Sequence, residues 1–563
     1  MKNDVPGYEL LARAYYAEGV RAHFTLMGDG NMHWAIALSE REGVQTIHAR
    51  HEHCACGMAI GYAIATGEVG VASVTLGPGF TQTMTALTTA ARAHVPMVLF
   101  TGEIPVNPEN AKWYNQGMEQ APLALATGAE YISARSAGRL LPSVREAFYK
   151  ARTERKPVVL GVPFDLQKQR MPVQDYRPST EFLPRLHPLP PATAAIAEVV
   201  DRIRSSQHPI IIAGRGVVSS DAGDAVRTLA ERSGALLSTT LPARGLFDDD
   251  PFNLGIAGGF SGPAAREEFG RADLVIAIGA SLTSYTADGG SLFPNAFVVQ
   301  IDANPVGLKD GVAAADFYVR ADAREAIAAI CAALDRDDRR SNSAASEPRA
   351  RTGDVATRIQ EGSTRRDTYP AVAGTVDPRD FISEFDDVLP KDWDIVSGTG
   401  HCAYFHSQMK HRRPENYHVI REFGAIGNGL SMAIGVAVAK GTDRIVLIEG
   451  DGSLIMHIQE LETIKRQGIK MLICVLNDGA YGAEIHKLRA EGIDESSAVF
   501  GRTDFAAIAK GFGLRGQTVS SVGQLADLFA AYEKQDEAEI WNVHISDRVL
   551  APIMQRLVSR GLR

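Results

Sequence analysis

Cysteine is scarce in this 563-residue chain. There are five, Cys54, Cys56, Cys331, Cys402 and Cys474, scattered and odd in number. The pattern is that of reduced thiols in a cytoplasmic protein rather than a disulfide framework. Cys54 and Cys56 are too close together for a metal-binding pair of the two-spacer kind. No run of 18 or more apolar residues occurs, so no transmembrane helix is expected. The N-terminal stretch MKNDVPGYELLARAYYAEG has no long apolar core, and no signal peptide is expected. Basic residues are outnumbered, 58 against 67 acidic, giving a net charge of −9, and no basic patch marks a nucleic-acid binder. What remains is ordinary globular composition, 45% hydrophobic and 22% charged. The chain is too long for one core, and three domains are expected.

Residues 1–175 alternate helix and strand patterns, with helices over Tyr8–Glu18, His33–Glu42, Ala55–Thr66 and Thr81–Ala93 and strands between them. That alternation predicts a doubly wound α/β domain with a parallel sheet. Residues 163–191 are proline-rich and read as a linker. A second α/β domain follows over 192–334. Its Gly214-Arg215-Gly216 turn lacks the third glycine of a dinucleotide site. The span 335–375 reads as a second linker, its segment 336–354 charged, poor in apolar residues and mobile. A third α/β domain covers 376–547, and it repeats the layout of the first.

The chemistry concentrates in residues 450–482. An apolar strand, Arg444–Glu449, runs into Gly450-Asp451-Gly452-Ser453, where two glycines let the backbone turn tightly around one carboxylate. A helix is expected over Leu454–Gln467, stopped by Gly468. A second strand, Met471–Leu476, ends in the turn Asn477-Asp478-Gly479. In a parallel sheet the two strand ends lie side by side, where such sheets bind ligands. Asp451 and Asp478, with a loop carbonyl, suit a hard divalent cation such as magnesium shared with a diphosphate. The helix N-terminus and Ser453 are expected to receive that diphosphate.

This motif resembles the diphosphate–magnesium motif of thiamine-diphosphate (ThDP) enzymes, with Asp478 where the family usually has asparagine. The whole chain, over about residues 5–550, resembles the pyruvate decarboxylase and acetohydroxyacid synthase branch: pyrimidine-binding, central and diphosphate-binding domains in that order. The resemblance implies that Ala480 supplies the third metal ligand through its main-chain carbonyl, and that Tyr481 lies beside the cofactor. It implies that Glu52, in Arg50-His51-Glu52, bonds the 1′ nitrogen of the aminopyrimidine and favours the imino form that takes the proton from thiazolium carbon 2. It implies that Ile426, in Gly424-Ala425-Ile426, wedges under the cofactor while the Gly424 carbonyl accepts from its 4′-amino group. Gly400 and His401 stand where relatives contact the diphosphate. The two ends of the cofactor go to different domains, and in the family to different subunits, so a homodimer or homotetramer is expected.

Two more carboxylates match the catalytic acids of pyruvate-decarboxylase-like enzymes, Asp29 after Gly28 and Glu484 after Asp478. A carboxyl group in a dry pocket can protonate the species left by decarboxylation. Asp29 has a second reading as a helix cap, and Glu484 as a solvated charge. The loop GEIPVNPENAKWYNQGMEQAP has no histidine pair of the decarboxylase type and places Met118 and Glu119 where synthases have Phe-Gln. The FAD-contact segment of synthases is not evident, so FAD is not expected. His486 is a candidate proton relay or an exposed helix histidine. The expected activity is ThDP- and magnesium-dependent decarboxylation of a 2-oxo acid, followed by protonation or by joining to an aldehyde or second keto acid. The alternatives are an acetolactate-synthase-like transferase, a 2-hydroxyacyl lyase, a non-catalytic cofactor-binding subunit and a dinucleotide-dependent oxidoreductase.

Overall fold

The computed structural model describes residues 4–107, 109, 115–305, 308–309, 312–338, 350–364 and 366–559. Three six-stranded parallel sheets follow one another along the chain, each flanked by helices. The first holds β1 (Ala22–Thr25), β2 (Gln45–His48), β3 (Gly70–Val74), β4 (Met97–Glu103), β5 (Glu130–Ser133) and β6 (Pro157–Pro163), in the order β2-β1-β3-β4-β6-β5. The second holds β7 (Pro209–Ala213), β8 (Leu236–Thr239), β9 (Asn253–Ile256), β10 (Leu274–Ile278), β11 (Phe297–Asp302) and β12 (Phe317–Arg320), in the order β9-β8-β7-β10-β11-β12. The third holds β13 (Asp394–Ser397), β14 (Tyr417–Val419), β15 (Ile445–Gly450), β16 (Leu472–Asn477), β17 (Arg515–Val519) and β18 (Glu539–His544), in the order β14-β13-β15-β16-β18-β17. The first and third sheets therefore share one topology, as the repeated layout in the sequence predicts. Central strands such as β4, β10 and β16 are buried along their whole length, which is why they read as continuous apolar runs.

The second sheet has the strand order of dinucleotide-binding folds, but its first turn is closed. The Gly214 N–H donates to the Ile278 carbonyl (2.8 Å) and the Gly216 N–H to that of Gly279 (3.0 Å). A β-carbon at Gly214 would lie 2.1 Å from the Gly279 oxygen. These glycines let two loops touch, and their donors are spent inside the domain.

The first and third domains meet through α1 (Glu52–Thr66) and α2 (Gly429–Lys440). Both are rich in small residues, and the contact explains why. A β-carbon at Gly57 would sit 2.2 Å from Ser431 Oγ, one at Gly61 2.2 Å from the Met432 carbonyl oxygen, and one at Gly435 1.9 Å from that of Met58.

Several elements differ from the sequence expectation. The helix over Thr81–Ala93 is two, Pro78–Thr81 and Met84–Arg92, broken where the Thr83 hydroxyl donates to the Phe80 carbonyl (2.7 Å). The helix over Leu454–Gln467 is a turn at Asp451–Leu454, a 3₁₀ turn at Ile455–His457 and a helix at Glu460–Gln467. The expected linker 163–191 is partly structured. Arg170–Pro172 pairs antiparallel with Asp4–Pro6, and buried Ser179 bonds Glu18, which Arg152 also holds. The second expected linker contains a helix, Gly353–Thr364, tied to the central domain by Arg358–Glu268 and preceded by Arg351–Asp250. The mobility expected of 336–354 falls largely on residues outside those described.

Candidate cofactor and active site

β15 and β16 are neighbours in parallel register, Gly450 opposite Leu476, so Asp451 and Asp478 emerge side by side. Both are buried. Asp451 accepts the N–H groups of Gly452 on Oδ1 and Gly479 on Oδ2, each at 2.9 Å. Asp478 accepts the Ala480 N–H on Oδ1 (3.2 Å) and the Cys402 thiol on Oδ2 (3.6 Å). Burial pushes the Asp451 carboxyl up to about 6. Burial, and then the charge of Asp451, pushes Asp478 well above the carboxylate range. Two adjacent buried acids, one raised further by the charge of the other, are relieved by a cation between them. The Ala480 carbonyl accepts no hydrogen bond among the described residues and is the candidate third oxygen. Such an oxygen set fits magnesium. The Cys402 thiol is pushed far up by burial, then by Asp478, and stays protonated.

Around this pair stand Gly400, His401 and α3 (Gly482–Glu491). His401 is buried, and burial holds it well below the usual histidine range, so it is neutral. Its Nε2 accepts the Ala551 N–H at 3.0 Å, and its Nδ1 has no partner among the described residues. A β-carbon at Gly482 would lie 2.5 Å from Asp478 Oδ2 and 3.0 Å from His401 Nδ1, so only glycine leaves this space open. His486 is buried rather than exposed, meets the His401 ring at 4.5 Å and is held down to about 4 by burial.

The wedge segment is held from below. Ile426, half-buried, lies between Gly424 (φ +71°) and Gly427 (φ +89°), backbone conformations that favour glycine. The Gly427 N–H donates to Ser453 Oγ (2.7 Å), and His457 Nδ1 bonds the Gly427 carbonyl (2.8 Å). The Ser453 oxygen, expected to face the diphosphate, accepts from the wedge loop, which leaves its hydroxyl proton to donate. His457 also accounts for the broken helix, since its bond to Gly427 falls in the 3₁₀ turn.

Glu52 is the first residue of α1, after the N-cap His51, whose side chain accepts the His53 N–H. An acid there is favoured by the helix dipole. Its carboxylate makes no hydrogen bond among the described residues and faces Gly79, whose β-carbon would be 3.4 Å from Oε1. The elements around Glu52 are fastened to the third domain: His53 Nε2 to Asn428 Oδ1 (2.7 Å), the Arg50 N–H to Glu460 (2.9 Å), and the Arg50 guanidinium to Glu462 (2.5 and 2.7 Å).

Asp29 and Glu484 are both exposed in the single chain, and Glu484 lies 3.8 Å from Lys487. Neither stands in a dry pocket in the single chain. Asp29 does not cap the following helix either. Asn31 occupies the cap position, and its side chain accepts the Gly28 N–H. Met118 and Glu119 are exposed, at the end of a loop of which residues 108 and 110–114 lie outside those described. Tyr481 is exposed and meets Phe500 edge-on at 5.2 Å. Glu449, Cys402, Asn428, His53 and His457 are site neighbours that sequence reasoning missed. Burial pushes the Glu449 carboxyl up to about 7. Its place directly before Gly450 was the one available signal.

Paired acids at adjacent strand ends, a glycine-flanked apolar segment and a carboxylate at the start of a first-domain helix are the parts from which a bipartite cofactor site can be built. Thiamine pyrophosphate enzyme family models match in chain order: the N-terminal TPP binding domain over residues 6–124, the central domain over 196–330 and the C-terminal TPP binding domain over 398–540. The chain belongs to the thiamine pyrophosphate enzymes. It is similar to the acetolactate synthase large subunit of Parasynechococcus marenigrum, 29% identical over 526 residues, covering 91% of this chain and 82% of that protein. It is also similar to the acetolactate synthase isozyme 2 large subunit of Escherichia coli, 26% identical over 96% of each chain. A probable acetolactate synthase large subunit of Methanocaldococcus jannaschii is 27% identical, over 97% of this chain and 92% of that one.

Proposed function

We propose that the protein is a ThDP-dependent enzyme that decarboxylates a 2-oxo acid and joins the remaining acyl unit to a second carbonyl compound, with magnesium anchoring the cofactor. The observation that carries this reading is the Asp451–Asp478 pair, two buried carboxylates beside a free main-chain carbonyl. Asp451, Asp478 and the Ala480 carbonyl hold the metal, and the Gly450–Ser453 turn, Gly400, His401 and Tyr481 surround the diphosphate. When bound, the cofactor supplies a nucleophilic carbon that the protein has no side chain to replace. Glu52 holds a proton at the aminopyrimidine edge. Ile426 would pack beneath the bound cofactor as its wedge, and the Gly424 carbonyl would accept from its amino group.

Asp29 and Glu484 act on the substrate only where a second copy of the chain covers them. The exposure of the apolar side chains Ile455, Met456, Tyr481 and Phe500 in the third domain supports a covering partner copy. The working unit is accordingly a homodimer or a pair of dimers. The five free cysteines fit a reducing, cytoplasmic setting, and among the described residues no helix is long and apolar enough to cross a membrane. The names of the relatives favour carboligation over simple aldehyde release. Incubation with a panel of 2-oxo acids, with and without a second 2-oxo acid or aldehyde, tests this. The expected products are CO₂ and a hydroxy-ketone adduct. Release of free aldehyde alone would give the decarboxylase reading instead.

A further inference from the structure

We infer that the chain's C-terminal segment fixes the proton of His401 on Nδ1, making that nitrogen a donor to a diphosphate oxygen of the bound cofactor. The inference rests on the ThDP reading above and adds a positioning role for residues beyond the third sheet. It begins with one hydrogen bond. The Ala551 main-chain N–H points at His401 Nε2 from 3.0 Å, in a buried setting. A main-chain N–H can only donate, so Nε2 accepts, and the proton of the neutral ring sits on Nδ1.

That assignment decides what the surrounding cluster can do. Candidate ligand atoms of His401, Cys402 and Asp478 lie within 4.8 Å of one another, an arrangement that invites reading them as a metal triad. A protonated Nδ1 has no lone pair to give, so His401 is not a ligand. It is a buried donor without an acceptor among the described residues. Leaving such a group unpaired is unfavourable, and an anionic ligand oxygen repairs it. The space before Nδ1 is kept clear by Gly482, beside the carboxylates assigned to the metal.

Ala551 is itself held firmly. It precedes α4 (Pro552–Ser559), which packs on α3. Arg556 of α4 binds Asp288 of the central domain (2.8 Å), which also takes Arg266 (2.7 Å), and Gln555 bonds Asp367 (2.9 Å). Seating of the C-terminal helix on the central domain thus reaches the diphosphate site through one backbone N–H.

The test uses full-length protein and three substitutions. In His401→Asn the amide nitrogen takes the position of Nδ1 and keeps the donor. In His401→Gln the amide reaches the position of Nε2, and the donor is lost. Ala551→Pro removes the N–H that fixes the tautomer. Histidine-selective ¹⁵N solid-state NMR, with the His401 signals assigned by their loss in His401→Asn, reads the tautomer directly. Titration of cofactor-free protein with ThDP and Mg²⁺ reads affinity. The expected result is Nδ1–H in the wild type, with its nitrogen shifting on ThDP binding. Affinity should be nearly preserved in His401→Asn and weaker by about tenfold in His401→Gln and Ala551→Pro. An Nε2–H tautomer, or equal losses in His401→Asn and His401→Gln, or undiminished binding by Ala551→Pro, overturns the inference while wild-type protein still binds ThDP. Wild-type protein that takes up no ThDP overturns the cofactor reading and the inference together.

Discussion

His53 and His457 stack face to face across the boundary between the first and third domains, with ring centroids 4.6 Å apart and planes 10° from parallel. His51 meets the same His457 ring at 5.2 Å. Burial, and then His457, holds His53 down to about 4, and burial also lowers His457. Between pH 6.5 and about 4 the unfolded chain binds a proton at His53 that the folded chain refuses. Stability from this group is therefore present above pH 6.5 and lost as pH falls towards 4, by an amount on the order of 3 kcal/mol. Chemical denaturation at a series of pH values should show the loss. His53→Gln, which can still reach Asn428, should flatten the profile; an unchanged slope would remove His53 from the explanation.

The glycines of α1 and α2 give a prediction about packing alone. Gly61→Ala places a methyl group against the Met432 backbone, which cannot swing away, and should cost about 3 kcal/mol. Gly270→Ala, in a helix with nothing within 4 Å, should be neutral or stabilising by up to about 1 kcal/mol. Urea unfolding of the two variants measures the difference. Equal stability would mean that the two helices are not in contact.

Glu52→Gln should fold and retain cofactor, because the fastening to the third domain runs through Arg50 and His53. Exchange of the proton on thiazolium carbon 2, followed by NMR in deuterated buffer, should slow by roughly a hundred- to ten-thousand-fold. Exchange at the wild-type rate would remove Glu52 from the proton relay.

Asp29→Asn and Glu484→Gln probe whether an assembly completes the site. Each should lower kcat by about a hundredfold while leaving ThDP affinity as it was. Turnover at wild-type level in both would leave them as the solvated charges they are in the single chain.

The parts of the site that lie along the chain were legible in it. Gly450–Ser453 and Asn477–Gly479 follow unmistakable apolar strands, and the pairing of parallel strands brings Asp451 beside Asp478 without further information. The strands expected at Arg444–Glu449 and Met471–Leu476 lie within a residue of those observed, because burial on both faces leaves continuous apolar runs, whereas shorter or less apolar strands such as Glu130–Ser133, Tyr417–Val419 and Arg515–Val519 were not read. What the sequence concealed lies between domains or in side-chain bonds to distant backbone. Nothing local marks His53 as the partner of Asn428 and His457, or Ala551 as the partner of His401. The Leu454–Gln467 pattern looked like one helix because its apolar spacing is helical. The His457 bond to Gly427, a tertiary contact, falls where it breaks. The proline-rich 163–191 stretch looked like a linker by composition, yet its strand closes on residues 4–6 and Ser179 closes on Glu18.

The most direct test is analysis of what the purified protein carries. Wild-type protein and Asp451→Ala, passed through gel filtration and then denatured, are analysed for ThDP by mass spectrometry and for metal by elemental analysis. The metal site described above predicts one ThDP and one divalent cation per wild-type chain after saturation with ThDP and Mg²⁺, and neither in Asp451→Ala, where the diphosphate loses its charged bridge. Stoichiometric ThDP in both proteins, or in neither, would contradict it.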